Sequence, residues 1–270
     1  MTEPAPMVLF EEADGIGIIT LNRPEARNAQ NEEFLRQLDA AWKAAACSED
    51  TRVIVLRANG QHFSSGHDLR EVPEKYVDPP KGDVEAGYRW ELANYLETSR
   101  RWRDVPKPSI AQVQGACIAG GLMLVWPCDL IVAADDAFFS DPVVRLGIGG
   151  VEYHGHTWEL GARKAKEMLF TGRRITATEA ERLGMVNHVV PVAQLDSATK
   201  ALAAEIAAMD RFGLAQAKRA VNQTLDVMGQ YAAMQAVFDI HWTGHGDAYT
   251  RTGTHLVAGL QDVRAAGSQA

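Results

Sequence analysis

The chain has 270 residues, of which 46% are hydrophobic and 23% charged, a composition typical of a globular protein with a sizeable core. This length suits one large α/β domain, or such a domain with an appended helical piece. The formal net charge of -8 argues against a nucleic-acid partner, which needs a basic face, but leaves room for a local basic pocket that binds a nucleotide-like group.

The three cysteines, Cys47, Cys117 and Cys128, are far apart in the sequence and form no CxxC pair. This sparse, odd count indicates a reducing compartment and no disulfide framework. The first residues, MTEPAPMVLFEEADG, are partly acidic and contain no apolar segment of the kind found in signal peptides. Apolar stretches such as residues 118–126 are too short to span a bilayer. We therefore expect a cytoplasmic protein with no membrane partner.

The N-terminal elements are a hairpin, a helix and a strand. Residues 8–10 and 16–21 flank the turn Ala-Asp-Gly at 13–15, which predicts a β-hairpin. Residues 31–46 place apolar side chains at helical spacing and predict an amphipathic helix. The continuous apolar run at 53–56 is typical of a buried strand.

Strands and helices then alternate. Residues 71–87 are rich in proline and charge and predict a mobile surface segment, and residues 87–103 predict a helix. A strand at 109–113, a short helix from Leu122 and a strand at 128–134 follow. This alternation predicts βαβ units and a largely parallel sheet.

From Arg163 onward the pattern is mostly helical, most clearly at residues 198–208, 212–227 and 231–241. Two interpretations remain open for this region. It forms an oligomerisation element, or it adds helices to the same core.

Two glycine-containing turns carry the candidate chemistry. The first is FSSGHDLR at residues 63–70, and the second is VQGACIAGGL at 113–122; each follows a predicted strand. Glycine permits close approach of a ligand to the backbone, and amides at a helix start lack intrahelical acceptors. Two such amides, those of His67 and Gly120, could together bind a developing negative oxygen, as an oxyanion hole does. Either turn alone could instead serve only close packing.

Taken together and in this order, these segments resemble the crotonase superfamily, the enoyl-CoA hydratase/isomerase family. The likeness runs from about residue 8 to residue 192 and includes NRPEARNA at 22–29, the two turns, PKP at 106–108, CDL at 128–130, and LFTG with the following residues 177–186. The resemblance implies a spiral fold of repeated ββα units with a helical C-terminal oligomerisation region. It divides the chain into a CoA-thioester-binding core, 1–195, and a helical region, 196–270.

The resemblance also implies the partners and the binding residues. The substrate would be an acyl-CoA thioester, with CoA as part of the substrate and no separate cofactor, and the assembly would be a homotrimer or a dimer of trimers. Arg27 and Ala29 would lie near the CoA nucleotide, and Arg70 near its phosphates, a role for which the guanidinium group is suited. The remaining substrate-binding residues would be Ser65, Gly66, His67, Asp68, Leu69, Gly120, Met123 and Val143.

The sequence departs from the family where hydratases carry two glutamates that activate water. The corresponding positions hold Met123, three residues after Gly120, and Val143, directly after Pro142. Neither side chain can transfer a proton. Ordinary hydration by such a glutamate pair is therefore expected to be impaired or absent.

Substitute acids or bases come from the turn at 147–161, which is about two residues shorter than the family's common form. Its candidates are Glu152, Tyr153 and His154, although a polar surface turn at a subunit contact is the alternative reading. Asp141 is a further candidate, or it caps the following segment, as aspartate beside proline commonly does.

Histidines raise two more questions. The Gly-His-Asp sequence around His67 resembles methylmalonyl-CoA decarboxylase, although that relative's partner tyrosine would fall near Gly150 here; alternatively, the His67 side chain is incidental and only its amide acts. His241 and His245 are four apart and could share a helix face, but Trp242 and nearby glycines weaken that helix. We therefore expect no metal site.

Two functions follow from these residues. The first is an active acyl-CoA enzyme that stabilises a thioester enolate and catalyses isomerisation, decarboxylation, hydrolysis or weak hydration, as in fatty acid metabolism. The second is a non-catalytic CoA-thioester-binding protein. The discriminating feature is a titratable group close to the acyl carbons.

Overall fold

The computed structural model describes residues 5–70 and 84–257, and a six-stranded sheet lies at its centre. Nine strands are present in the described residues: β1 Val8–Ala13, β2 Ile16–Leu21, β3 Val53–Ala58, β4 Ser109–Val113, β5 Ala116–Ile118, β6 Leu130–Ala134, β7 Phe138–Ser140, β8 Ile175–Thr176 and β9 His188–Val190. The large sheet has the order β1-β2-β3-β4-β6-β9, and β5-β7-β8 form a small second sheet. In the large sheet only β1 and β2 pair antiparallel, which confirms the hairpin and the parallel sheet.

Helices connect and cover these strands. They are α1 Glu32–Cys47, α2 Val84–Glu91, α3 Glu97–Arg103, α4 Leu122–Val125, α5 His156–Thr171, α6 Ala177–Leu183, α7 Leu195–Ala207, α8 Arg211–Val227 and α9 Gln230–Thr252. A π-helical turn, Leu92–Leu96, joins α2 to α3 without a break, so the predicted helix at 87–103 is confirmed with a local change of winding. Most of the predicted surface segment 71–87 lies outside the described residues.

The large sheet is buried on both faces because β2, β3, β4 and β6 are apolar at successive positions. Residues that point to one face, among them Ile18 and Val55, pack against Leu195 and Ala203 of α7. Their neighbours along the strands point into the main core. Strand side chains alternate between faces, so a strand covered on both sides reads as a continuous apolar run.

The C-terminal helix α9 is longer than the sequence pattern predicts. We expected its helical pattern to end at 241 because of the glycines that follow, but the helix runs unbroken to Thr252. Gly244 is needed for contact: a Cβ there would lie 2.6 Å from the carbonyl oxygen of Gly147. Glycine at this position permits the helix to approach a neighbouring turn, and it does not end the helix.

The helix α9 also belongs to the protein's own core, because Met234, Phe238 and Trp242 lie in the main apolar cluster. Helix α8, by contrast, has no buried residue and exposes Phe212 and Val221 to solvent. Within the described residues, no helix combines the length and apolarity needed to cross a bilayer.

Candidate active site

The two glycine turns lie against each other at the carboxyl ends of β3 and β4. Ser64 pairs with Cys117 in a parallel bridge, and the amide of Ile118 donates to the carbonyl of Ser64 at 3.0 Å. Gly66 has φ +90°, and a Cβ there would lie 3.0 Å from the amide nitrogen of Gly120. This close approach brings together the two segments that the sequence predicts to form an oxyanion hole.

Two features of the backbone concern the amides of His67 and Gly120, the predicted donors. The backbone amide of Gln30 donates to the Gly66 carbonyl, and the backbone carbonyl of Gln30 accepts from the Asp68 amide. These two bonds flank His67 and do not use its N–H. Gly120 lies in a 3-10 turn, Ala119–Gly121, whose first amides have no intrahelical acceptor. The preceding Ala119 has φ +49°, an uncommon conformation for a residue with a side chain.

The imidazole of His67 contacts the carboxylate of Glu152, with its Nε2 3.1 Å from both carboxylate oxygens. The ring also stacks on Tyr95, with centroids 4.2 Å apart. Glu152 is only 3% exposed, so the surface-turn interpretation of this residue is wrong. The His67 side chain is held between the Tyr95 ring and this buried carboxylate.

Electrostatics favour the charged form of this pair. Burial lowers the pKa of His67, but the Glu152 carboxylate more than offsets it, and the pKa is raised above its ordinary value. Burial raises the pKa of Glu152, but the charge and hydrogen bond of His67 outweigh that effect and lower it. Each group thus favours the charged form of the other: His67 lowers the pKa of Glu152, and Glu152 raises the pKa of His67.

Asp141 lies behind the turn that carries Glu152. Its carboxylate is fully buried, accepts the Val151 amide at 3.0 Å, contacts His156 Nε2 at 2.8 Å and accepts the Val143 amide at 3.3 Å. These bonds tie Asp141 to the turn that carries Glu152, and Asp141 itself does not line the cavity beside His67.

The neighbouring candidates point elsewhere. Tyr153 is 2% exposed and lines a groove beside α8, away from His67. His154 contacts Thr157 at 3.3 Å, and burial lowers the pKa of His154 to about 4. Of the turn's three candidates, the structure brings only Glu152 to His67.

A cavity opens beside the His67–Glu152 pair. Its lining combines apolar side chains with titratable groups; the lining residues are Gln30, Asn31, Glu32, His67, Asp68, Leu69, Trp90, Glu91, Tyr95, Val143, Leu146, Ile148, Val151, Glu152, His241, His245, His255 and Leu256. Val143, predicted to contact the substrate, is one of the apolar residues that line the cavity. Met123 is fully buried in the core, and its side chain does not line this cavity.

The residues expected to bind CoA surround the first turn. Arg27 is exposed, and its carbonyl accepts the Ser65 amide at 3.0 Å, which places it beside that turn. Ala29 is buried and its carbonyl accepts from Arg23. Asp68 is also buried and bridges Arg23 at 2.7 Å and the exposed Arg70 at 3.3 Å.

The sequence alone does not identify Glu91 or Tyr95 in this cavity, and it argues against a site at His241 and His245. Glu91, His241 and His245 form a buried cluster, with Glu91 Oε2 3.1 Å from His241 Nε2 and the two Nε2 atoms 3.1 Å apart. The i, i+4 spacing of His241 and His245 is the local signal for this cluster, but the glycines of α9 argue, in the sequence alone, against a helix that would hold both side chains on one face. Neither Glu91 nor Tyr95 carries a local signal, because only the fold brings the α2–α3 segment to this site.

In comparisons with known proteins, most of the chain matches one family. The family model described as "Enoyl-CoA hydratase/isomerase" matches residues 11–252. A solved structure of a "probable enoyl-CoA hydratase" from Mycobacterium smegmatis is 61% identical with a TM-score of 0.90, covering 94% of this chain and 99% of that chain. A second, from Mycobacterium thermoresistibile, is 63% identical with a TM-score of 0.89, covering 92% and 98%.

A relative from Mycobacterium tuberculosis bears the name "Putative enoyl-CoA hydratase EchA13". It is 44% identical over 271 residues, which span 93% of this chain and 85% of the relative. The similarity therefore extends over nearly the full length of both proteins.

Proposed function

The chain belongs to the enoyl-CoA hydratase/isomerase family, and from that membership we propose that it moves a proton along the acyl group of a CoA thioester by means of Glu152. The amides of His67 and Gly120 hold the thioester oxygen while negative charge develops on it. Glu152 removes and returns the proton. The His67 side chain keeps the Glu152 carboxylate ionised and oriented.

The observation that carries this proposal is the contact of His67 Nε2 with both oxygens of Glu152 at 3.1 Å, inside the cavity. A general base acts only within reach of the proton that it removes, and this carboxylate faces the same space as the first glycine turn. Burial in a low-dielectric site strengthens its interactions with a bound substrate.

The reaction best matched to one carboxylate is isomerisation of a 3-enoyl-CoA to a 2-enoyl-CoA. Glu152 takes the proton from the carbon next to the thioester, the resulting dienolate oxygen accepts hydrogen bonds from the two amides, and the proton returns to the far end of the double bond. Hydration, in contrast, adds water across the bond. The two positions that hold water-activating glutamates in hydratases are Met123 and Val143 here.

Recognition of the CoA part is assigned to the residues around the first turn. Arg27 and Arg70 are both exposed, which suits guanidinium groups that bind phosphates. The thioester itself acidifies the neighbouring carbon, so this reaction needs no organic cofactor. A homotrimer or dimer of trimers and a cytoplasmic location complete the proposal, and the apolar surface of α8, including Phe212, supports a subunit contact.

The test is conversion of 3-hexenoyl-CoA to 2-hexenoyl-CoA by the purified protein, with hydration of crotonyl-CoA and decarboxylation of methylmalonyl-CoA measured in parallel by mass spectrometry. We expect isomerisation to dominate. Glu152→Gln, which keeps the shape of the side chain, should reduce it by about 10²–10⁴-fold, the usual contribution of a general base.

The matched control is Glu159→Gln on α5, which lies outside the cavity and should leave the rate unchanged. Equal rates for the wild-type protein and Glu152→Gln would contradict the assignment of the base. Tight binding of every thioester without turnover would instead establish the protein as a CoA-thioester-binding protein.

A further inference from the structure

We propose that Glu91, His241 and His245 bind a divalent transition metal ion, and that zinc is the best match. Their ligand atoms all lie within 4.8 Å of one another, and all three residues are buried. Ion binding at these three side chains does not depend on the reaction proposed above, although both sites face the same cavity.

The hydrogen bonds of the two imidazoles assign their tautomers. The Nδ1 atom of His241 lies 2.7 Å from the carbonyl oxygen of Gly150, and that of His245 lies 2.7 Å from the carbonyl oxygen of His255. A carbonyl oxygen only accepts, so each Nδ1 carries the proton. In the neutral form of each ring the Nε2 atom is then a lone-pair donor to a metal.

These two Nε2 atoms face each other at 3.1 Å, and the Nε2 of His241 also faces Glu91 Oε2 at 3.1 Å. Three atoms that carry lone pairs repel one another unless a proton or a cation lies among them. Metal-binding histidines commonly donate the other ring nitrogen to a backbone carbonyl, as both of these do. The cluster thus has the inner ligands and the outer hydrogen bonds of a metal site.

The spacing also fits a single ion. Ligand atoms about 2.0–2.1 Å from a tetrahedral zinc ion lie about 3.3–3.4 Å from one another, close to the two contacts of 3.1 Å. Two imidazoles and one carboxylate form a known zinc ligand set. Glu152 Oε1 lies 3.8 Å from His241 Nε2 and is the nearest candidate for a fourth ligand.

Charge balance supports a cation here. Glu91 and Glu152 are each 3% exposed, and two carboxylates buried in one cavity are costly unless positive charge compensates them. Glu152 has His67 Nε2 as a hydrogen-bond partner. A divalent ion would compensate Glu91 without requiring a proton between His241 and His245.

The fold holds the three ligands on rigid elements. His241 and His245 are one helical turn apart on α9, and Glu91 is the last residue of α2, directly before the π-helical turn. Such turns are frequent at functional sites. Gly244 lets α9 approach the turn at 147–150, whose last carbonyl orients His241.

The test uses the full chain, stripped with a chelator, reloaded with Zn²⁺ and dialysed. Inductively coupled plasma mass spectrometry should find one zinc ion per chain. Loading with Co²⁺ should give the visible absorption of a low-coordinate cobalt site, and X-ray absorption should show two imidazole ligands. His245→Gln and Glu91→Gln should each weaken zinc binding by at least ~100-fold, because each removes an inner ligand.

The control is His188→Gln on β9, an exposed histidine outside the cluster, which should retain the ion. Circular dichroism of each variant confirms folding, and two ligand variants keep the test decisive if one fails to fold. A wild-type protein that retains no zinc, or ligand variants that bind as tightly as the wild-type protein, would overturn the proposal in favour of a proton shared among the three side chains. Glu152→Gln separates the two proposals, because Glu91, His241 and His245 should still hold the ion in this variant while isomerisation is lost.

Discussion

Gly120→Ala should disable the site by displacing His67. A Cβ at this position would lie 2.7 Å from His67 Cε1 and 3.0 Å from both ring nitrogens. Carbon atoms in contact prefer about 3.5–4.0 Å, so the imidazole must move by roughly 1 Å. A shift of that size away from Glu152 would lengthen the 3.1 Å contact beyond hydrogen-bonding range.

The expected cost follows from the displacement of the imidazole, because alanine at position 120 keeps its backbone amide. A displacement of about 1 Å in a catalytic arrangement costs about 10²-fold in rate. We therefore expect kcat/KM for isomerisation of 3-hexenoyl-CoA to fall by at least ~10²-fold, or about 2.7 kcal/mol of transition-state stabilisation. Affinity for CoA itself, measured by calorimetry, should change little, because the residues assigned to CoA lie outside this contact.

A double-mutant cycle makes the mechanism testable. In a His67→Ala background the ring is absent, so Gly120→Ala should cost much less than in the wild-type protein. Gly246→Ala is the matched control, since a Cβ there meets no atom within 4 Å. A rate for Gly120→Ala within threefold of the wild-type rate, or equal costs in both backgrounds, would refute the reasoning.

Three further outcomes concern stability. Gly244→Ala should lower the melting temperature, because its Cβ would lie 2.6 Å from the Gly147 carbonyl oxygen, whereas Gly246→Ala should raise stability by about 0.5–1 kcal/mol through helix propensity. Met123→Glu should destabilise the protein without restoring hydration, because the side chain is fully buried in the core. Burial raises the pKa of Asp68, but its bond to Arg23 and other contacts outweigh this effect and lower the pKa below 3.8. The ionised Asp68 therefore stabilises the folded state above pH 3.8, and this contribution is lost as the pH falls through the lowered pKa. Acid titration of the melting temperature should therefore be shallower in Asp68→Asn, and an unchanged titration would contradict this assignment.

Local patterns in the sequence determined the family, the mixed α/β fold and most of its elements. The hairpin at the start, the helix α1 and the buried strands follow from apolar periodicity and turn residues, which act over a few neighbouring positions. The two glycine turns were also identifiable, because their backbone requirements are local. The absence of a titratable side chain at Met123 and Val143 needs no structure at all.

Only the tertiary structure decided what the side chains around the cavity contact. Glu152 and His67 are 85 positions apart, and Glu91 and His241 are 150 apart, so no local pattern predicts either contact. The burial that changes the pKa values of His67 and Glu152 arises from elements packed around them from distant parts of the chain. Gly244 is a further case. Helix propensity alone predicts that the helix is weakened at this glycine. In the structure the helix is continuous, and the glycine is required because the turn that contains Gly147 approaches it closely. Neighbouring residues determine the local backbone geometry, whereas the charge around a side chain, its burial and the ligands of a site depend on which distant segments the fold brings together.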